Sequence, residues 1–286
     1  MNFRKTALSA GLYFLATPIG TARDITLRAL DILASADILA AEDTRTARKL
    51  MEIHGVPLEG RPLIALHDHS QTKVVDRLVA EIKGGKSVAY FSEAGTPLVA
   101  DPGFELGATV AKEGLPVTAA PGPSAALAAL TVSGLASDRF AFIGFLPSGQ
   151  QQRRTALAEL RDLPMTLIFF ESPKRVREML NDLRDVFGGG REAAVCRELT
   201  KKFEEVSRDS LDSLSTAFEG RSVKGECVVV VGRDGAVSVT DDDIDAALAQ
   251  ALDSMRVKDA ATTVAGALGL PRKQVYQRAL ELKDKE

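Results

Sequence analysis

The chain has 286 residues and a mass of 30.5 kDa, enough for roughly two domains with separate cores. With 45% hydrophobic and 26% charged residues, the composition is that expected of a soluble globular protein, and no run approaches the ~18–20 apolar residues of a membrane-spanning helix. The 36 basic and 39 acidic side chains leave a net charge of −3, which excludes a generally basic nucleic-acid coat; a polyanionic partner would need a local patch. Two cysteines exclude a disulfide framework, so the chain reads as intracellular and cytoplasmic.

Met1-Asn2-Phe3-Arg4-Lys5 followed by Ala7 to Ala16 has the charge-then-apolar order of a secretion signal. Ser9 and Gly11 interrupt the apolar part, which runs directly into Thr17-Pro18-Ile19-Gly20. Residues 1–11 are therefore read as a short disordered leader ahead of the first strand. Strand-like runs follow at Leu12–Ala16, Ile38–Ala41, Leu63–Leu66, Ser87–Phe91 and Val117–Ala119. Later ones are Phe140–Phe145, Thr166–Phe170, Ala193–Cys196 and Cys227–Val231. Between the early runs lie amphipathic helical patterns, such as Ile25, Leu27, Leu30, Leu33 and then Val75, Leu78, Val79, Ile82. Repeated strand–helix–strand units predict an α/β fold with predominantly parallel sheets. Nine strands suit two α/β domains, residues 12–121 and 122–235, with the seam at Pro121-Gly122-Pro123.

Beyond Gly232 the character changes. Asp241-Asp242-Asp243 is an acidic helix-start signal, and Ile244, Ala247, Leu248, Ala251, Leu252 and Met255 mark one helical face. Further helices fit Lys258–Ala267 and Arg272–Lys283 around a Gly269-Leu270-Pro271 turn. Residues 241–286 are read as a helix–turn–helix-like extension.

Several segments have compositions that chemistry would use. Thr17-Pro18-Ile19-Gly20 sits where an α/β sheet binds ligands, although a plain strand-to-helix turn has the same composition. Ser92-Glu93-Ala94-Gly95-Thr96-Pro97, running on to Asp101-Pro102-Gly103, combines small residues with stiffening prolines and reads as a binding loop. It matches neither G-x-G-x-x-G nor a Walker loop. Ser124, after Pro121-Gly122-Pro123, is either a helix cap or a ligand contact. Ala41-Glu42-Asp43-Thr44-Arg45, Phe170-Glu171-Ser172-Pro173-Lys174-Arg175 and Arg197-Glu198-Leu199-Thr200-Lys201-Lys202 each end a strand with an acid and start a helix with a base. Each alone reads as a capping pattern, but the repetition points to a shared polar cleft. His67-Asp68-His69 lacks further metal ligands nearby and reads as a polar edge, so no metal is expected. Cys196 and Cys227 sit in apolar strands and read as core.

These segments occur in one order: Thr17-Pro18-Ile19-Gly20 with Asp24-Ile25-Thr26, Ala41 to Arg45, Ala65 to His69, Ala94 to Pro97 with Asp101-Pro102-Gly103, Pro121-Gly122-Pro123, Phe140 to Pro147, Phe170 to Pro173, and Arg197 to Lys201. In that order the chain resembles the ribosomal RNA small subunit methyltransferase I group of the tetrapyrrole methylase superfamily, over about residues 12–233. The terminal helices resemble that group's helix–turn–helix extension. The resemblance implies a homodimeric two-domain enzyme with S-adenosylmethionine in the interdomain cleft. The implied activity is methylation of the ribose 2′-hydroxyl of a cytidine in the decoding region of 16S ribosomal RNA, within the 30S subunit.

By position, cofactor contacts are expected from Pro18, Ala94, Gly95, Thr96, Val99, Ser124, Ala125, Phe170, Glu171 and Gly225, many through backbone. Candidate bases or orienting acids are Glu42, Asp43, Glu171 and Glu198. Candidate RNA contacts are Arg45, Arg175, Lys201, Lys202, Arg272 and Lys273, with Arg153-Arg154, Arg177 and Arg278 as further basic patches. The chain departs from the group at Glu93, where Asp is usual, at Thr21-Ala22, where Asn-Leu is usual, and at Lys174, where His is frequent. Two other readings stay open: a methylase of the same fold acting on a tetrapyrrole, and a ligand-responsive transcription regulator using the terminal helices.

Overall fold

The structure is a computed structural model that describes residues 2–66, 71–233, 241–252, 255–268 and 270–283. The described residues divide into an α/β unit and a smaller, mainly helical unit that takes in Asp162–Pro164 and the chain from Arg233 onward.

The first sheet holds β1 (Gly11–Leu15), β2 (Ile38–Ala41), β3 (Leu63–Ala65), β4 (Ser87–Phe91) and β5 (Val117–Ala120), in the order β3-β2-β4-β1-β5. Every pairing in it is parallel. Side chains alternate between two apolar layers, as a pleat requires. Leu12, Phe14, Val88 and Tyr90 meet α3 (Gln71–Lys83) and α4 (Phe104–Lys112) on one face. Leu15, Ala89 and Phe91 meet α1 (Leu27–Ser35) and α2 (Thr44–Ile53) on the other. Burial on both faces explains why these strands read as continuous apolar runs.

The second sheet departs from the parallel expectation. It contains β6 (Phe140–Phe145), β7 (Thr166–Glu171), β8 (Glu192–Arg197), β9 (Glu205–Ser210) and β10 (Cys227–Val231), ordered β6-β7-β10-β8-β9. Only β6 and β7 pair in parallel; β10 runs antiparallel to both β7 and β8, and β9 antiparallel to β8. The link from Arg197 to Glu205 is too short for a parallel crossover, which needs a dozen residues or more. Strand β9 escaped the sequence reading because Glu205-Val206-Ser207-Arg208-Asp209-Ser210 holds one apolar residue, an acceptable composition for an edge strand. Ile168, Ala194, Cys196, Val228 and Val230 pack against α5 (Ala125–Ser133). Around this sheet lie α6 (Gln150–Leu160), α7 (Val176–Phe187) and α8 (Leu211–Phe218). Cys196 and Cys227 are buried free thiols pushed up to about 11 by burial, which suits core residues.

The leader makes contacts with the first domain. Residues 2–10 form no helix or strand, yet the Arg4 amide donates to Asp31 Oδ1 at 2.6 Å and the Thr6 amide to Ser35 Oγ at 3.0 Å. Phe3 and Leu8 pack on the α1–α2 layer, so apolar burial offsets the entropy lost in ordering.

In the helical unit, α9 (Asp241–Leu252), α10 (Val257–Leu268) and α11 (Arg272–Lys283) share a core of Ile244, Leu248, Ala261, Val264, Ala265, Val275 and Ala279. No helix among the described residues is long and apolar enough to cross a membrane.

Candidate active site

Strands β4, β1 and β5 are neighbours, so the loops that leave their carboxyl ends emerge side by side. The chain then stitches those loops together. Thr17 and Gly95 exchange backbone hydrogen bonds at 2.9 and 3.0 Å, the Thr17 hydroxyl donates to Ser92 O at 3.3 Å, and the Thr96 hydroxyl donates to Pro123 O at 2.9 Å. Gly95 has φ +82° and lies against Ile19, where a Cβ would sit 3.4 Å from Ile19 Cγ2. Downstream, Leu98 and Ala100 adopt φ of +70° and +62°, a left-handed backbone that costs non-glycine residues about 1–3 kcal/mol each. The loop ends on Tyr90, whose hydroxyl donates to Pro102 O at 2.8 Å.

Between these loops and the carboxyl end of β7 lies a cavity of about 380 Å³. Its far wall is Phe145, Phe170, Glu171, Ser172 and Pro173, with Glu226, Cys227 and Val228 beside them. Phe170 stands edge-on to both Phe142 and Phe145, at centroid distances of 4.8 and 5.7 Å, which makes the apolar side rigid.

Of the cofactor residues expected from sequence, Ala94, Gly95, Thr96 and Val99 line the near wall. Ser124, Ala125, Phe170 and Glu171 also line the cavity. The Ser124 hydroxyl also caps α5 at Leu127 N. Pro18 and Gly225 do not line the cavity, although their chain neighbours Ile19 and Glu226 do. Gly225 instead makes room for Glu198, whose side chain would lie 2.3 Å from a Cβ there.

The acid–base clusters do not merge into one cleft. Only Glu171, of the four candidate acids, reaches the cavity. Its side chain is fully buried; Oε1 accepts from Ser172 N at 2.7 Å, and Oε2 lies 3.1 Å from Arg175 Nη2 without a well-aligned hydrogen bond. Asp43 caps α2 by accepting from Arg45 N at 2.7 Å and pairs with the Arg45 guanidinium at 2.6 Å. Those hydrogen bonds hold its carboxyl well below the usual range, at about 2, which makes it a weak proton acceptor. Glu42, half-buried at the end of β2, lies outside the cavity lining. Glu198 binds Lys201 Nζ at 2.8 Å and accepts from Glu226 N at 3.1 Å, and the Lys201 hydrogen bond leads in lowering its pKa.

The basic residues sort in the same way. Arg175 turns inward, donating to Leu146 O at 2.9 Å and Pro147 O at 3.2 Å. Arg153 is buried against Asp182, Arg154 bridges Asp182 and Asp185, and Arg278 pairs with Asp245 and Glu281. Lys201 pairs with Glu198 and Glu226. Arg45 remains highly exposed beyond Asp43, and exposed Lys202 lies over the Phe203 ring at 5.5 Å. In the helical unit, Arg272, Lys273, Lys258 and Tyr276 surround a concavity of about 500 Å³.

His67-Asp68-His69 lies outside the described residues, and no cluster of metal-ligand side chains occurs among the described ones. From sequence Cys227 reads as core and Phe145 and Val228 draw no notice, because strand ends with apolar side chains look like core. Thr21, one of the departures, donates its amide to Thr200 Oγ1 at 3.1 Å and so ties the loop after β1 to the segment after β8.

Residues 11–215 match the family model described as tetrapyrrole (corrin/porphyrin) methylases, and residues 238–283 match the RsmI C-terminal HTH domain. A ribosomal RNA small subunit methyltransferase I of Mesorhizobium japonicum is 46% identical over 278 residues, covering 97% of this chain and 94% of that protein. The protein of the same name from Pseudomonas aeruginosa is 40% identical over 285 residues, covering 97% of this chain and all 100% of the relative. Among solved structures, the methyltransferase CobJ superposes with a TM-score of 0.60 at 19% identity, over 79% of this chain and 95% of its own. The uroporphyrin-III C-methyl transferase of Thermus thermophilus, complexed with S-adenyl homocysteine, superposes at 0.55 with 18% identity, over 78% of this chain and 97% of that one. The two structures share the fold. With both its α/β unit and its helical unit matched, the chain belongs to the ribosomal RNA small subunit methyltransferase I family within the tetrapyrrole methylases.

Proposed function

We propose that this protein transfers a methyl group from S-adenosylmethionine to the ribose 2′-hydroxyl of a cytidine in the decoding region of 16S ribosomal RNA. The observation that carries this reading is the match to relatives named for small-subunit ribosomal RNA methylation over nearly the whole length, helical unit included. That match favours RNA over a tetrapyrrole as substrate and a transferase over a DNA-binding regulator.

The cavity fits the donor. Its volume of about 380 Å³ falls in the range of small-molecule sites, roughly 300–1,000 Å³. Gly95 leaves the near wall open to close approach by backbone, and Phe145 and Phe170 offer apolar surface. The buried Glu171 Oε2, which has no hydrogen-bond partner, suits the positively charged groups of such a ligand. Ala94, Gly95, Thr96, Val99, Ser124, Ala125, Phe170 and Glu171 would hold it. When bound, S-adenosylmethionine supplies a methyl group already activated by its sulfonium.

The protein's part is then alignment and proton removal. Orienting two bound reactants is worth roughly 7–11 kcal/mol. A general base typically contributes about 10²–10⁴-fold, or roughly 3–5 kcal/mol. Positioning by the stitched loops therefore dominates, and no nucleophilic side chain is needed. Arg45, Lys202, Arg272 and Lys273, the exposed cations, are the better candidates for RNA phosphates; Arg175 and Lys201 are engaged by protein groups. The working form is a homodimer acting on the 30S subunit in the cytoplasm, as the resemblance implies.

Incubating the protein with labelled donor and unmodified 30S subunits, then mapping ribose methylation, tests the reading. Label on a cytidine 2′-oxygen in the decoding region is expected. Label on a base, or no transfer, overturns it.

A further inference from the structure

Three carboxylates line the cavity, and two already have work. Glu171 is fully buried and tied to its own following amide and to Arg175. Glu226 is 76% exposed and paired with Lys201 Nζ at 2.9 Å. Asp101 is the third, and it forms no ion pair among the described residues. Nor does it cap α4, whose N-cap is Gly103 without a side-chain bond. Its neighbours are the Ser92 hydroxyl, buried and without a well-aligned hydrogen-bond partner, and the Glu93 carboxylate.

The backbone around Asp101 is unusual. Leu98 and Ala100, just before it, are both left-handed, and Gly103 follows at φ +107°. Gly103 has to be glycine, because a Cβ there would lie 2.8 Å from the Tyr90 ring. The bonds Thr96 Oγ1–Pro123 O and Tyr90 Oη–Pro102 O hold this conformation from both ends. Strain of this kind persists where surrounding structure over-determines it, and it clusters at functional sites.

We propose that Asp101 is the proton acceptor for the ribose hydroxyl, a catalytic residue for the ribose-methylation reading above, on which this proposal rests. As the 2′-oxygen forms its bond to the methyl carbon, the carbon–sulfur bond breaks and its electron pair stays on sulfur in S-adenosylhomocysteine. The hydroxyl proton passes to the Asp101 carboxylate and is later released to water. Burial raises the proton affinity of Asp101 above the ordinary carboxylate value, the nearby Ser92 hydroxyl opposes it, and Glu93 adds to the rise. A stronger acceptor than a solvated Asp results. The other charged groups around the cavity are Glu171 and Glu226 in its lining, with Lys201 paired to Glu226 and Arg45 on α2 interacting with Glu93.

The test compares wild type with Asp101→Asn and Asp101→Glu, using labelled S-adenosylmethionine and unmodified 30S subunits. Single-turnover rates are followed against pH, S-adenosylhomocysteine affinity by calorimetry, and melting against pH by circular dichroism. Asp101→Asn should slow transfer by about 10²–10⁴-fold with ligand affinity unchanged. The wild-type rise of rate with pH should vanish in it and persist, at a lower rate, in Asp101→Glu. A carboxyl whose folded-state pKa is raised destabilises the fold once it ionises, so Asp101→Asn should melt higher than wild type at neutral pH and the gap should close in acid. A rate within about tenfold of wild type, or parallel loss of rate and ligand affinity, overturns the proposal. If Asp101→Asn fails to fold, loss of the pH dependence in Asp101→Glu overturns it instead. Wild-type label on a base would remove the parent reading. Label on ribose with an active Asp101→Asn would remove only Asp101.

Discussion

Replacing Asp182 with asparagine separates two roles for Arg153 and Arg154, phosphate contact or internal scaffold. The Asp182 carboxylate is fully buried and accepts from Arg153 Nε at 2.7 Å, Arg154 Nε at 2.6 Å and Gln150 Nε2 at 3.2 Å. Arg153 is itself 1% exposed, so the substitution strands a guanidinium away from water. Breaking a buried pair in this way costs about 3–5 kcal/mol. Arg153 keeps Ser148 O at 3.1 Å, and the new amide keeps an accepting oxygen, so the low end applies. Arg154 is half-exposed and retains Asp185, so its share is small. A loss of about 3 kcal/mol corresponds to a fall in Tm of about 6–12 °C for a domain of this size. Thermal unfolding followed by circular dichroism measures it, and Arg153→Met with Asp182→Leu should recover much of the loss. A shift below about 2 °C, or unchanged Tm with stronger RNA binding, would refute the scaffold role and return both arginines to the RNA surface.

Gly95→Ala should fold, at a cost of about 1–2 kcal/mol for its left-handed backbone, whereas Gly95→Leu should abolish S-adenosylhomocysteine binding by calorimetry. Unchanged affinity in Gly95→Leu would remove the loop from the cofactor site. Glu205 is held at about 2 by the Arg221 hydrogen bond, with Arg197 adding to it. Because that value lies below the ordinary 4.5, the pair's contribution is present above 4.5 and disappears as pH falls toward 2. Glu205→Gln should therefore melt below wild type at neutral pH and converge with it in acid; a constant gap would count against the pair. Reversing Arg272 and Lys273 together to Glu should flatten the slope of log affinity for RNA against log salt by about 1.5, and an unaltered slope would exclude the helical unit from phosphate contact.

Much of the architecture is legible from burial periodicity, because a strand covered on both faces must be apolar throughout. Leu12 to Leu15 and Val88 to Phe91 announce themselves this way. Strand direction is not legible by the same signal: Cys227–Val231 is as apolar as any parallel strand yet sits between two antiparallel partners. Apolar character reports what covers a strand, and the pairing partner depends on chain connections such as the short segment from Glu198 to Glu204. The packing of Phe3 and Leu8 on the α1–α2 layer is illegible for a related reason, since two apolar residues are too few to show periodicity.

The composition of Ala94 to Thr96 already reads as that of a loop open to a flat ligand, because small residues are needed wherever backbone meets one, and these residues line the cavity. The acids are another matter. Glu42, Asp43, Glu171 and Glu198 all end strands with a base close behind, and locally they are indistinguishable. Tertiary structure alone decides that Asp43 folds back on the amides of α2, that Glu198 is held by Lys201 and the Glu226 amide, and that Glu171 and Asp101 face the cavity. A carboxylate's role follows from which donors reach it and how much water is excluded, and both are set by residues distant along the chain.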